Sequence, residues 1–330
     1  MRRLSFVIPN YNYARYIGHA IESALSVDWP DVEVIVVDDG STDESVEVIR
    51  EYSDKITLIQ QPNSGPRVAC NAGFAATTGD FVIFLDSDDI VLPSVARRIQ
   101  ESDRPGISKI QFQMQRIDGA GRKVGRAFPE FRTVPSPDDI RLWMRTTASY
   151  PTPPGSGNAY ARTFLERIFP LGDECGDATD SACLAAAPFL GDVVTVPTPQ
   201  FGYRVHGANR SYLLGDVHRF SRQLERALQR HAFAHAIDGR QNGRGWLEPL
   251  FRGLHLLQLR VAHRRVTGEP SPLPGDGFWR MLGDCRRAGV SPGPESLARR
   301  GLIVTWCLAV LVAPRPLASW LIRARFVQPG

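Results

Sequence analysis

No Cys-x-x-C pair occurs among the five cysteines of this 330-residue sequence, Cys70, Cys175, Cys183, Cys285 and Cys307. An odd, scattered set of thiols argues against a disulfide framework and against a cysteine-based zinc site, and fits a reducing cytoplasm. Long apolar runs are missing as well. The longest, LIVTWCLAVLVA at 302–313, falls short of the about 20 residues a membrane-crossing helix needs. The opening MRRLSFVIPN has too short an apolar stretch for a signal-peptide core and is expected to be the first strand. No Gly-x-Gly-x-x-Gly follows that strand, so the usual cradle for a dinucleotide pyrophosphate is absent and a Rossmann dehydrogenase is disfavoured. A nucleotidyltransferase would carry a glycine-rich basic loop at the same place, and PNYNYARYIG is not one. No internal repeat is visible.

What is present is an ordinary globular composition, 43% apolar and 22% charged, long enough for a large α/β domain and a smaller helical part. The net charge of +4 hides an asymmetry. Residues 201–330 hold 20 arginines and 8 acids, a balance of +12, which leaves 19 basic and 27 acidic residues, or −8, in 1–200. An acidic front and a basic back suggest a catalytic domain followed by a segment that meets something anionic, such as a membrane surface, or simply solvated arginine-rich helix faces.

The front alternates strand and helix patterns. LSFVIP, VEVIVV, ITLIQQ and FVIFL read as strands, and YIGHAIESAL, the stretch after DDGSTD, and RVACNAGFAA read as helices. Ser41 and Glu44 have the spacing of a capping box. Such alternation predicts a mainly parallel sheet flanked by helices, with ligands beyond the carboxyl ends of the strands. The polar clusters PNYN, DDGSTD and DSDD all follow strands and should therefore share one crevice. Asp86 and Asp88 would project together if extension persists, and two such carboxylates crowd unless a proton or a cation intervenes. Asp89 is expected to cap the next helix, with Pro93 in its first turn. Further on, KIQFQMQRI alternates as a half-buried strand, PTPPGSGNAY reads as a loop, ATDSACLAAAP as a helix, and VVTV and FGYRVH as edge strands. The chain beyond about 214 is predicted to be mostly helical.

SFVIPNYN, VEVIVVDDGSTD and FVIFLDSDD, together with SGNAYARTFLERIFP, TDSACLAAAPFLG and YRVHGANRS, resemble the family-2 glycosyltransferases of the GT-A fold. The likeness covers about residues 3–212 and implies a GT-A catalytic domain over 1–212, with a nucleotide-sugar half (1–106) and an acceptor half (107–212). Residues 213–330 would be a helical, arginine-rich extension.

The resemblance further implies a metal-dependent, inverting transfer from a nucleoside-diphosphate sugar to a glycan or lipid-linked acceptor, in bacterial surface polysaccharide synthesis. The alternatives are a non-catalytic sugar-nucleotide binder or assembly partner, or a nucleotidyltransferase. Pro9 and Tyr11 would line the base site, Asp39 would accept a ring N–H, and Asp38 would support the turn. Asp86 would hold the ribose or a metal-bound water. Asp88 would ligate Mn2+ or Mg2+ with the diphosphate, completed by His206. Cys70 stands where the family usually has a basic residue, and Arg67, one helical turn earlier, would bind the phosphate in its stead. Asn158, Arg204 and Asn209 would line the acceptor side, and Asp180, or else Asp177, would be the base. No nucleic-acid partner is expected. A cytoplasmic location follows, at the inner membrane face if the C-terminal region touches lipid. Trp306 and Trp320 among Arg299, Arg300, Arg323 and Arg325 would suit that interface, and packing on the catalytic domain would serve equally.

Overall fold

The computed structural model describes residues 3–176, 179–206, 218–242 and 250–326. The chain divides into two compact units, 1–138 with 151–207, and 139–150 with 208–330.

The first unit opens with β1 (Leu4–Asn10), α1 (Ala14–Leu25), β2 (Val32–Asp38), α2 (Ser45–Arg50), β3 (Thr57–Gln60), α3 (Pro66–Ala76) and β4 (Phe81–Phe84). It continues through β5 (Ile90–Val91), α4 (Val95–Ser102), β6 (Ile107–Ile117) and the start of α5 (Pro137–Thr147). After the excursion into the second unit come β7 (Asn158–Ala161), α6 (Arg162–Leu165), α7 (Thr179–Leu190) and β8 (Asp192–Arg204). One eight-stranded sheet results, in the order β3-β2-β1-β4-β7-β6-β8-β5. The four N-terminal strands run parallel, β7 is antiparallel to β4 and β6, and β8 is parallel to β6.

Every residue of β4 is buried, as the uninterrupted FVIF requires of a central strand covered on both faces. Each such side chain contributes roughly 1.5–3 kcal/mol of burial. Helix α3 seats on β1 through Gly73, where a Cβ would fall 2.3 Å from Cγ1 of Val7, so only glycine permits that approach. The register sets Asn10 opposite Asp38 and Val7 opposite Phe84, which aligns the carboxyl ends of β1, β2 and β4. The three polar clusters that follow these strands consequently leave the same sheet edge.

Two segments depart from the sequence pattern. The stretch expected as two edge strands is one 13-residue strand, β8, lying between β6 and the two-residue β5. Residues 158–160, expected in a loop, form β7 together with Ala161 and bridge the parallel block to β6.

The second unit is helical: α8 (His218–Asn242), α9 (Leu254–Val266), α10 (Phe278–Val290), α11 (Leu297–Val312) and α12 (Arg315–Phe326), with α5 from Asp139 onward. Ala148, Phe220, Leu257, Val261, Met281, Cys307 and Ile322 share its core. Arg260 is fully buried there, held by Asp276 and by Asp284 at 2.8 Å. Truncating one member of such a set would leave an uncompensated charge. Among the described residues no helix is long and apolar enough to cross a membrane.

Candidate active site

The crevice begins with two interlocked turns. Asp38 accepts from Asn10 Nδ2 at 3.0 Å, from Ser41 Oγ at 2.6 Å and from the Ser41 amide at 3.1 Å. Asn12 Oδ1 in turn accepts from the Thr42 amide at 2.7 Å. Gly40 has φ +77°, and a Cβ there would sit 2.7 Å from the Asn63 amide, so the turn demands glycine. Asp38 thus holds the turn. Ser41 serves Asp38, and the expected capping box does not form, since α2 starts at Ser45 with Glu44 at its N-cap and no side-chain cap. Asp39, buried at the end of β2, accepts from Gln61 Nε2 at 2.7 Å and from the Ser64 and Gly65 amides at 2.9 and 2.8 Å. Tyr11 projects from the end of β1 with 42% of its surface exposed.

Beyond β4 the chain turns instead of staying extended, closed by the Asp89 amide donating to the Asp86 carbonyl at 3.0 Å. Ser87 points inward to the Pro9 carbonyl at 2.6 Å. The turn gathers carboxylate oxygens of Asp86, Asp88 and Asp89 within 4.8 Å of one another. Asp89 does not cap a helix. It is buried, accepts from Ser156 Oγ at 2.7 Å and the Arg204 amide at 3.0 Å, and its carboxyl is pushed well above the usual range by burial, then by Asp86 and Asp88. Three crowded hard-oxygen donors fit Mn2+ or Mg2+ and would suit a soft metal poorly.

The opposite wall comes from the end of β8. His206 Nε2 lies 2.9 Å from Asp88 Oδ2, its ring stacked on Tyr16 of α1 at 5.2 Å between centroids. Arg204 is buried, its guanidinium over the same Tyr16 ring at 4.9 Å, and donates to the carbonyls of Asp88, Asp118 and Gly119.

A polar row on β6 and β7 fixes the floor. Lys109 Nζ donates to Thr152 Oγ1 at 2.9 Å, Gln111 to the Pro151 carbonyl at 3.1 Å, and Asn158 to the carbonyls of Pro154 and Gly155 at 2.9 and 3.1 Å. These bonds set the PTPPG loop so that Ser156 meets both the Asp86 amide and Asp89. Burial lowers the Lys109 ammonium to about 7. Asp180 stands in the first turn of α7, accepting from the Ser181 amide at 2.8 Å. A Cβ built on Gly155 would lie 3.6 Å from Asp180 Cβ and 3.9 Å from Asp86 Oδ2. Asp180 and Asp86 thus both border Gly155 on the side where its side chain would be.

Arg67 is directed to the Leu171 carbonyl at 2.9 Å and to the Asp173 carboxylate. Asn209 and Asp177 lie outside the described residues. Sequence reading misses Ser156, Gly155 and Lys109, whose importance arises from pairings many residues distant. The only local hint is a serine between glycines after a proline pair.

The sequence profile of glycosyl transferase family 2 matches residues 5–169, half of the chain. The chain belongs to glycosyl transferase family 2. An uncharacterized glycosyltransferase of Nostoc sp. is 38% identical over 216 residues, 63% of this chain and 66% of that relative. The poly(ribitol-phosphate) beta-N-acetylglucosaminyltransferase TarS of Staphylococcus aureus is 34% identical over 97 residues, 28% of this chain and 17% of its own length. The chain thus spans under two thirds of these curated relatives. Among solved structures, S. aureus TarS in complex with UDP-GlcNAc superposes with TM-score 0.52 at 16% identity, covering 97% of this chain and 89% of that one. The mannosyltransferase PcManGT of Pyrobaculum calidifontis, in complex with GDP-Man and Mn2+, gives 0.53 at 19%, covering 98% and 85%. The fold is the GT-A fold of these neighbours, a mixed sheet flanked by helices with helices following.

Proposed function

We propose that this family-2 chain is a metal-dependent, inverting glycosyltransferase. It would move a sugar from a nucleoside-diphosphate sugar to a glycan or lipid-linked acceptor in bacterial surface polysaccharide synthesis, at the cytoplasmic face. The observation that carries this reading is the gathering of Asp86, Asp88 and Asp89 at the carboxyl end of β4, with Asp180 across the gap at Gly155. Structural neighbours hold UDP-GlcNAc, or GDP-Man with Mn2+, which supports the donor class.

In this reading the base of the donor lies against Tyr11 and Pro9. Asp39 has three of its roughly four acceptor positions in use, leaving one for a ring N–H. Asp86 and Asp88 hold Mn2+ or Mg2+, with His206 orienting Asp88. When bound, the ion offsets the charge that builds on the departing diphosphate. Arg67 can exchange its exposed partner Asp173 for a phosphate oxygen, because an ion pair open to water holds weakly.

Asp180 takes the proton from the acceptor hydroxyl. The acceptor oxygen forms its bond to the anomeric carbon from the face opposite the diphosphate. The carbon–oxygen bond to the diphosphate breaks, and the electron pair leaves with it, so the anomeric configuration inverts. Asn158 and Arg204 act on the acceptor side by holding the loop and the wall that frame this gap, and Asn209 is assigned to the same side.

The test is turnover of a nucleotide-sugar panel with Mn2+, with the anomeric configuration of the product read by NMR. A product of configuration opposite to the donor's is expected. A retained configuration would overturn the inverting assignment, and tight donor binding without turnover would indicate a sugar-nucleotide binder instead.

A further inference from the structure

A solvated helix face is ordinarily polar, with charges opposite the buried stripe. Helix α11 breaks this rule. Its inward stripe is Ile303, Cys307, Val310 and Leu311, which helical geometry sets opposite Ala298, Gly301, Leu302, Thr305, Ala309 and Val312. That outward face runs for four turns without a charged residue, and Leu302 and Val312 are 73% and 71% exposed. Helix α12 buries Ala318 and Ile322, and turns Leu317 and Trp320 outward at 50% and 63% exposure. The two helices are tied by Trp306 Nε1 donating to the Leu321 carbonyl at 3.2 Å, and both contribute to the same core.

Charge identifies what covers this face. Residues 296–326 contain five arginines and no acid. Arg300 is spent on the carbonyls of Ser291, Gly293 and Glu295, and Arg325 on Gln258 at 2.7 Å. Arg299, Arg315 and Arg323 remain at the ends of the helices, all exposed. An all-basic apolar surface repels a second copy of itself and attracts a sheet of anions with an apolar interior. Helix α11, 16 residues or about 24 Å long, is too short to span a bilayer of about 30 Å and suited to lie along its surface.

We infer that the outward faces of α11 and α12 seat on a membrane surface bearing anionic lipid, with Leu302, Val312, Leu317 and Trp320 entering the acyl boundary and Arg299, Arg315 and Arg323 meeting phosphates. The inference deepens the proposed function by naming the surface at which a lipid-linked acceptor would be met. Its evidence is independent of the transfer reaction.

The test is sedimentation of the purified full chain with phosphatidylcholine vesicles, with and without phosphatidylglycerol, at low and high salt. Partitioning is expected to favour the phosphatidylglycerol vesicles and to weaken with salt. In a Leu302→Asp/Trp320→Asp variant it should fall at least tenfold, with an unchanged thermal unfolding curve, since both positions are exposed. An Asp88→Asn variant should bind vesicles like the parent protein, which separates this surface from the catalytic reading. The inference is overturned by equal partitioning of parent and double variant, by equal binding to both vesicle types, or by no binding. It is also overturned if the parent forms a dimer in sedimentation equilibrium that the double variant loses.

Discussion

His206 Nε2 lies 2.9 Å from Oδ2 of Asp88, although 118 residues separate them, and both side chains are largely shielded from water, at 12% and 14% exposure. The pair joins the end of β8 to the turn after β4, the two places from which the crevice walls rise. The protein itself therefore holds Asp88 in place. Replacing Asp88 with Asn keeps the shape and removes a charge. Transfer should fall by about 100-fold or more, with Mn2+ affinity reduced in parallel. His206→Ala should cost less, roughly 10-fold to 100-fold, because it frees Asp88 without removing a carboxylate. Steady-state rates across a Mn2+ titration check both, and a full rate for Asp88→Asn would remove it from the metal site.

Asp180 is expected to act on rate and not on donor binding. Asp180→Asn should lower kcat by on the order of 100-fold to 10,000-fold, with donor affinity within about threefold of the parent. Equal activity in Asp180→Asn would shift the base to another carboxylate, with Asp177 the next to test.

Gly155 gives a steric test. A Cβ at this position makes only ordinary contacts, 3.6 Å from Asp180 Cβ, so Gly155→Ala should fold with a stability near that of the parent. Gly155→Leu would extend into the space between Asp180 and Asp86. It should abolish transfer, while the melting temperature moves by only a few degrees. If Gly155→Leu turned over donor normally, the reacting groups would not meet there.

Lys109 makes stability depend on pH. Burial lowers its ammonium from 10.5 to about 7, so between these values the unfolded chain binds a proton that the folded chain does not. Stability from this residue therefore rises with pH across that window. The difference in unfolding free energy, parent minus Lys109→Met, should climb by up to about 1.4 kcal/mol per pH unit from about pH 7 upward. Urea melts at pH 7, 8 and 9 measure it, and a flat difference would mean that the lysine is not held uncharged.

Local pattern carries much of the N-terminal half. β1 to β4 can be read because their apolar runs and the helices between them are set by neighbours in sequence, and parallel pairing then brings PNYN, DDGSTD and DSDD to one edge. β8 is hidden because Pro197 and Pro199 interrupt its pattern, yet the strand continues past them with register shifts against β6. Asp89 misleads for a related reason. Its spacing suits a helix cap, whereas its partners, Ser156 and Arg204, lie 67 and 115 residues away. The same holds for Lys109, whose alternation marks a strand but says nothing of Thr152. Residues 139–150 likewise join the helical unit through contacts such as Ala148 in its core, which no local signal announces.

The central claim is that the acid cluster after β4 binds a nucleoside diphosphate through a divalent cation. Thermal unfolding of the parent protein and of Asp88→Asn with UDP, GDP, dTDP and CMP derivatives, each with and without Mn2+, tests it most directly. One nucleotide at about 100 times its dissociation constant should stabilise the parent by about 2.7 kcal/mol, only when Mn2+ is present, and should leave Asp88→Asn unmoved. Stabilisation that is independent of Mn2+, or equal in Asp88→Asn, would contradict the account.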